Sequence, residues 1–463
     1  MRFITTLAIA LLLTALLVVA VHAQGELRLV AVSYAGWEQL QQLASLGLQI
    51  VNYQGDVLAA LCSDAHIEQL RRLGFQLRVL DAQPDTDLMS YYLAYPAPGD
   101  DVGQWPPVEA LYLYDKDVYI VKATATQVES LARKGIQLAK LPAAVVINRV
   151  LPDVYQPAGK LTHRWSIRAM VEAVSPTWLI QHVCKLQDDD CLDYCNEQGT
   201  RYSYASDKLN EAAQYLYRNY KALGLRVTYE PFLHNSTVMT NVVAELPGLG
   251  PASDHIYILC AHYDSTSNDP YRIAPGADDN ASGSAAVLEA ARVLSRYSFS
   301  HTLRFIHFAG EEQGLLGSAY YAAQATQRGD VIVGVINLDM IAYESVPPND
   351  HIVEIHAGTN PASIALADVF INQITKYGLL LHPEKITNGA TGRSDHASFW
   401  NHGYPAILGI EDFQDFNPYY HSTNDTLSRL QTQLMVEFTK ACVATLAELA
   451  SVLPRPLPKN MLQ

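Results

Sequence analysis

Residues 303–318 read L-R-F-I-H-F-A-G-E-E-Q-G-L-L-G-S. The apolar run predicts a strand over 303–309, and a helix is predicted near 315–325. Between them Glu311 and Glu312 stand just past the strand's carboxyl end, where ligands gather in an α/β sheet. Outward from this stretch the same arrangement recurs. A strand over 255–262 closes on His262, with Asp264 two residues on, inside A-H-Y-D-S at 261–265. A strand over 331–339 closes on Asp339 within N-L-D-M at 337–340. G-A-D-D-N-A-S-G at 276–283 and Y-H-S-T-N-D-T at 420–426 add Asp278 and His421. A lone Asp after a strand is ordinarily a turn or cap residue; several strand ends delivering acids and imidazoles toward one edge is a different pattern. Carboxylates and imidazoles without a thiolate suit a catalytic metal site that keeps room for water.

The flanking periodicity predicts alternating elements. Helices are expected at 175–186, with Ser175 as N-cap and Pro176 first in the helix, then at 206–223, 284–297, 361–377 and 427–449. Further strands are expected at 225–230, 241–245, 352–357 and 406–411. Such alternation implies an α/β fold: a mixed, mostly parallel twisted sheet with helices on both faces.

The preceding part of the chain differs. Three copies of a strand, a short helix, a glycine (Gly47, Gly74, Gly135) and a strand of apolar-Gln-apolar form occur within 26–143. The first two abut as β-α-β-β-α-β, a ferredoxin-like α+β arrangement. The Pro- and Asp-rich stretch 82–107 reads as a linker or long loop. The expected organisation is a signal peptide at 1–23, an accessory or propeptide-like domain at 24–157 and a larger domain carrying the five motifs at 158–463.

A formal net charge of −15 argues against nucleic-acid binding. Hydrophobic content of 49% and charged content of 17% suit a globular chain. Arg2, the apolar run to Val21 and Val21-His22-Ala23 form a secretory signal with its cleavage site. The mature protein is therefore expected to be secreted, with no stable membrane association. Six cysteines accompany this reading; Cys184, Cys191 and Cys195 cluster so that two of them could pair, and Cys260 sits inside an apolar strand as a core thiol.

Taken together, the five motifs resemble the co-catalytic di-zinc aminopeptidase family that includes the secreted bacterial leucyl aminopeptidases. The resemblance covers roughly 165–450 and implies a zinc-exopeptidase fold and two zinc ions per chain. It implies that His262 and Asp339 hold one ion, Glu312 and His421 the other, and that Asp278 bridges them, with a cis peptide between Asp278 and Asp279. Glu311 is then the general base. Asp264 supports His262, and Ser394 in G-R-S-D-H-A-S-F supports His421. The implied substrates are peptides with a free N-terminus, whose first side chain enters a pocket walled by Met340 and Tyr420. Arg393 departs from the leucyl-specific pattern; it is either a solvated loop residue or a substrate-binding group that biases the enzyme toward acidic or carboxylate-bearing substrates. A carboxypeptidase usually has proline after the bridging Asp, and this chain does not. A glutaminyl cyclase shares the scaffold with one zinc, and a non-catalytic binding module would have lost the ligands.

Overall fold

The computed structural model describes residues 27–453 apart from 86–89, 97–100, 116–117, 148, 150–160, 188–198 and 346–348. The expected signal segment, Cys191 and Cys195 lie outside the described residues.

β1 (Arg28–Ser33), α1 (Gly36–Ala44), β2 (Gln49–Gln54), β3 (Val57–Cys62), α2 (Asp64–Arg72) and β4 (Leu77–Asp81) come first. They build an antiparallel sheet ordered β2-β3-β1-β4, the ferredoxin-like arrangement. Ser63 starts α2 with a reciprocal cap: its Oγ accepts from His66 N at 3.3 Å, and its own N–H reaches His66 Nδ1 at 3.4 Å. The apolar faces of α1 and α2, carried by Leu40, Leu43, Ile67 and Leu70, pack on Val30, Val32, Leu58 and Ala60.

β5 (Tyr91–Tyr95), β6 (Ala110–Asp115), β7 (Val118–Lys122), α3 (Ala125–Ala132) and β8 (Gln137–Lys140) form a second sheet, ordered β6-β7-β5-β8. The strand order repeats that of the first sheet. The expected linker at 82–107 therefore contains β5, a correction with a clear cause. Tyr91-Tyr92-Leu93-Ala94-Tyr95 is buried throughout, so it lacks the alternation that marks a half-buried strand, and its Pro- and Asp-rich flanks hid it. The third repeat is thus half of a second ferredoxin-like unit.

The larger part follows with α4 (Leu161–Glu172), α5 (Pro176–Gln187), α6 (Ser206–Ala222), β9 (Arg226–His234), β10 (Thr237–Leu246), β11 (His255–His262), α7 (Gly283–Leu294), β12 (Thr302–Phe308), α8 (Leu316–Arg328) and β13 (Val331–Leu338). It ends with β14 (Ile352–His356), α9 (Pro361–Tyr377), β15 (His382–Ile386), α10 (His396–Asn401), β16 (Ala406–Glu411) and α11 (Thr432–Leu449). The expected elements are present, β11, α9 and β16 with the expected ends and the others with shifted ones, and β15, α10 and α4 are additional. Their eight strands run β15-β14-β16-β13-β11-β12-β10-β9, with β16, β13, β11 and β12 mutually parallel. Helices cover both faces, as the period-2 side-chain alternation of β11 requires. Tyr257, Leu259 and Ala261 join the core that includes α7 and α11, whereas Ile256, Ile258 and Cys260 pack with Tyr321, Ala322 and Ala325 of α8.

β11 is the pivot of the sheet. The chain goes from β11 to β12 on one side and then crosses to β13 on the other. A crevice opens at the carboxyl ends of strands where the order reverses in this way. Cys184 is disulfide-bonded, and Cys62, Cys260 and Cys442 are free and buried.

The start of α8 is packed against the end of β12. A methyl group at Gly317 would run into Asn241 Oδ1 and the Ala309 carbonyl, although Ala ordinarily favours a helix over Gly by about 1 kcal/mol. Gly317→Ala should therefore lower stability, by about 1–3 kcal/mol as for other overpacked sites. A urea melt checks this: an unchanged or higher midpoint would show that the contact is not a constraint.

Candidate active site

Each strand end at the pivot delivers a side chain into one buried cluster. His262 ends β11, Asp339 follows β13, and Glu311 and Glu312 follow β12. The turn into α7 brings Asp279, and the segment before α11 brings His421. His262 Nε2 lies 3.1 Å from Asp279 Oδ1 and 3.2 Å from Asp339 Oδ1. His421 Nε2 lies 3.1 Å from Asp279 Oδ2 and 2.8 Å from Glu312 Oε2. The cluster therefore has two lobes, each an imidazole with its own carboxylate, and Asp279 offers one oxygen to each.

Sequence reasoning assigned the shared position to Asp278, and the structure puts Asp279 there instead. Asp278 points the other way, accepting from Ala342 N at 2.9 Å and Asn417 Nδ2 at 3.0 Å and facing Glu411. Two adjacent acids look alike in sequence, and only the path of the turn decides between them. That path is held from several sides. Asp425 accepts from Asp278 N and Asp279 N, each at 3.0 Å, while Asn280 Nδ2 donates to the Leu338 carbonyl at 2.8 Å. The cis peptide joins Asp279 to Asn280, one residue later than expected. Fully buried Arg201 braces the approach, donating to the carbonyls of Tyr263 at 2.7 Å, Pro275 at 2.7 Å and Gly276 at 2.9 Å.

The supporting residues also divide. Asp264 stands behind His262, its carbonyl 3.2 Å and its Oδ1 3.6 Å from Nδ1. Its carboxylate also accepts from Glu311 N at 3.2 Å and Glu312 N at 3.3 Å, so one side chain aligns both lobes. Ser394, expected beside His421, instead donates to Asp339 Oδ2 at 2.6 Å and accepts from Asn337 Nδ2 at 2.7 Å. It lies on the β13 side of the cluster. The glutamates on the strand-end turn point apart: Glu312 toward His421, and Glu311 toward the cleft, where Gln137 of β8 donates to its Oε1 at 3.1 Å. Gln137 carried no catalytic signal in its own sequence context, since a Gln on an accessory strand is unremarkable until the two parts of the chain meet.

Crowding so many acids away from water shifts their protonation. Burial, with Asp339, Glu312 and Asp395 nearby, holds Glu311 well above the usual carboxylate range. Burial and Asp279 push Glu312 up to about 7. Burial opposes ionisation of Asp279 too, yet the hydrogen bonds of His262 and His421 hold it below its ordinary value. Burial would lower both imidazoles, but Glu312 and Asp279 raise His421 to about 10, and Asp339 and Glu311 raise His262 well above its ordinary value. The cluster calls for positive charge. Glu312 Oε1 and His421 Nδ1 are buried without hydrogen-bond partners, and His262, Asp279 and Glu312, or His262, Glu311 and Asp339, lie close enough together to hold a cation.

Beside the cluster is an apolar pocket. Met340, Leu408, Ile410, Phe413, Phe416 and Tyr420 line it together with Arg393. Met340 and His421 both take the left-handed backbone conformation, at φ of 49° and 52°, as strained functional residues often do. The Tyr420 ring stacks on His421 with centroids 3.6 Å apart. The Arg393 guanidinium turns toward the accessory part, over the Tyr95 ring and onto the Pro96 carbonyl at 3.1 Å.

Residues 241–446 match the pattern of peptidase family M28. Over 309 residues the chain is 30% identical to leucine aminopeptidase 1 of Trichophyton equinum, covering 65% of this chain and 80% of that protein. The fold is similar to the LapA aminopeptidase of Legionella pneumophila, with a TM-score of 0.58, 22% identity and coverage of 79% and 99% of the two chains. It is also similar to a glutaminyl cyclase of Macrostomum lignano, with a TM-score of 0.51, 18% identity and coverage of 67% and 98%.

The two adjacent acids are separable by experiment. Asp279→Ala should cost more zinc affinity than the roughly 10–100-fold typical of a supporting residue, and Asp278→Asn should cost less than Asp279→Ala. Calorimetric titration of the metal-free variants with zinc tests this; the reverse ranking would return the shared position to Asp278.

Proposed function

This chain belongs to peptidase family M28 and is an aminopeptidase, and we propose that it removes the N-terminal residue of peptides at the two-lobed cluster, using two zinc ions with Asp279 between them. The observation that carries this reading is the pair of equal 3.1 Å separations from the Asp279 oxygens to the two imidazoles. The donor set fits zinc: every group is a hard oxygen or an imidazole nitrogen, and buried Glu312 Oε1 has no other partner. His262 and Asp339 would hold one ion, and His421 and Glu312 the other. Bound zinc would polarise the scissile carbonyl and make water a better nucleophile at neutral pH.

The protein's own residues do the rest. Glu311 Oε1 takes the proton from the attacking water and returns it to the leaving amine, as a buried carboxylate facing the cleft can. Asp264 fixes the direction of both glutamates through their backbone N–H groups. The surrounding carboxylates favour a substrate ammonium group. Met340, Leu408, Ile410 and Phe416 favour an apolar first side chain, while Arg393, which also lines the pocket, turns its guanidinium to the Tyr95 ring and the Pro96 carbonyl.

Two lobes, each with an imidazole, support a two-ion peptidase over a one-ion cyclase; the shared fold does not discriminate between them. The residue after Asp279 is Asn280 and not proline, which keeps the chain apart from the carboxypeptidase pattern. Export is part of the proposal, supported by the apolar leader with its cleavage site and by the disulfide at Cys184.

Zinc content of the purified protein, measured with hydrolysis of matched free and N-acetylated aminoacyl amides, tests the reading. Two zinc ions per chain with cleavage of the free-amine series alone is the expected outcome; one ion, or indifference to the amine, would sink it. Glu311→Gln should keep its zinc and lose about 10²–10⁴-fold in kcat. Activity within tenfold of the unaltered enzyme would remove Glu311 from the base role.

A further inference from the structure

Behind the apolar pocket lies a buried polar pair that the chemistry above does not use. Glu354 and His356 stand on one face of β14, where β16 sets Ile410 opposite Glu354 and Leu408 opposite His356. Ile410 and Leu408 line the pocket, and directly opposed residues of antiparallel strands share a face. His356 is 2% exposed and Glu354 7%. His356 Nε2 lies 2.7 Å from Glu354 Oε2, a charge contact without hydrogen-bond alignment.

The pair receives two backbone N–H groups. Thr391 N donates to His356 Nδ1 at 3.1 Å, so the neutral ring carries its proton on Nε2, toward Glu354. Phe413 N donates to Glu354 Oε1 at 3.3 Å. Each group begins a path to the acid and imidazole cluster. The Thr391 carbonyl is held by His396 Nε2 at 2.8 Å, and its Oγ1 accepts from Arg393 N at 3.2 Å. The next residue, Ser394, donates to Asp339. From Phe413 a row of rings leads to the other lobe. Centroids are 5.4 Å apart for His356 and Phe413, 5.9 Å for Phe413 and Phe416, and 5.1 Å for Phe416 and Tyr420. Tyr420 then stacks on His421. Phe413, Phe416 and Tyr420 wall the pocket, and Arg393 and Ser394 line it as well.

A buried polar pair adds little net stability over an apolar pair of similar volume. What this pair adds is two acceptors at fixed positions. We propose that Glu354 and His356 are positioning residues that set the shape of the first-side-chain pocket, and with it the preference for large over small apolar residues. The proposal rests on the aminopeptidase reading above. The pair stands behind the lining and acts through Thr391 and Phe413.

The test uses the full chain with zinc bound. It reads the ratio of kcat/KM for leucyl amide to that for alanyl amide, beside calorimetric affinities for free leucine and free alanine. His356→Asn keeps an acceptor near the place of Nδ1. His356→Gln carries its amide toward the place of Nε2 and leaves the Thr391 N–H unserved. The leucine preference should stay within about threefold in His356→Asn and fall about tenfold or more in His356→Gln, through KM, as a misfitted methylene would cause. Glu354→Met combined with His356→Leu makes the pair apolar, and should fold and lose the same preference. The contrast between the two single variants decides even where the double variant fails to fold. Equal preference in His356→Asn and His356→Gln would overturn the proposal, as would a loss carried by kcat alone and equal for both amides. Leucine binding that follows the expected pattern, with no hydrolysis by the unaltered chain, would keep the pair's role and refute the aminopeptidase reading.

Discussion

The site depends on holding one carboxylate between two imidazoles where water is excluded. Asp279 offers one carboxylate oxygen to each lobe of the cluster, and a buried anion survives only when opposite charge or hydrogen-bond donors compensate it. The surrounding structure makes that possible. Asp425 takes the backbone N–H groups of the turn, Asn280 ties it to the end of β13, and the Arg201 guanidinium gathers the carbonyls of the loop leading to it. Each bracing group satisfies a backbone polar atom that would otherwise be orphaned by burial. The turn that aims Asp279 is thereby a fixed part of the interior.

The sheet makes the convergence possible. β11 sits where the strand order reverses, so the loops after β11, β12 and β13 leave the sheet at neighbouring points and diverge around a crevice. Asp264 converts that neighbourhood into alignment by receiving the N–H groups of Glu311 and Glu312 while backing His262. A single carboxylate thus couples the His262 imidazole at one strand end to Glu311 and Glu312 at the next. The accessory units meet the same crevice edge-on, which places a strand end within reach of Glu311.

Much of this architecture was legible in the residues themselves. The bounds of β11, α9 and β16 coincide with those read from apolar periodicity and caps. His262, Glu311, Glu312 and Asp339 stood out because their motifs flank strand ends, and His421 only through the resemblance of its motif. Ser394 and Asp278 were misplaced for a common reason: both lie beside a position that needs a polar group, and direction around a turn leaves no trace in residue type. β5 was missed because a strand covered on both faces has no alternation to read.

By itself the sequence determined the α/β class, the chemistry of the donors and their order, since apolar periodicity and residue type are local properties. Only the tertiary structure decided which of two adjacent aspartates sits between the imidazoles, that Ser394 serves Asp339, and that Gln137 meets Glu311 from 174 residues away. Those outcomes depend on the path of a turn and on the docking of distant surfaces, which are set by the summed packing of the whole chain and not by any short stretch of it.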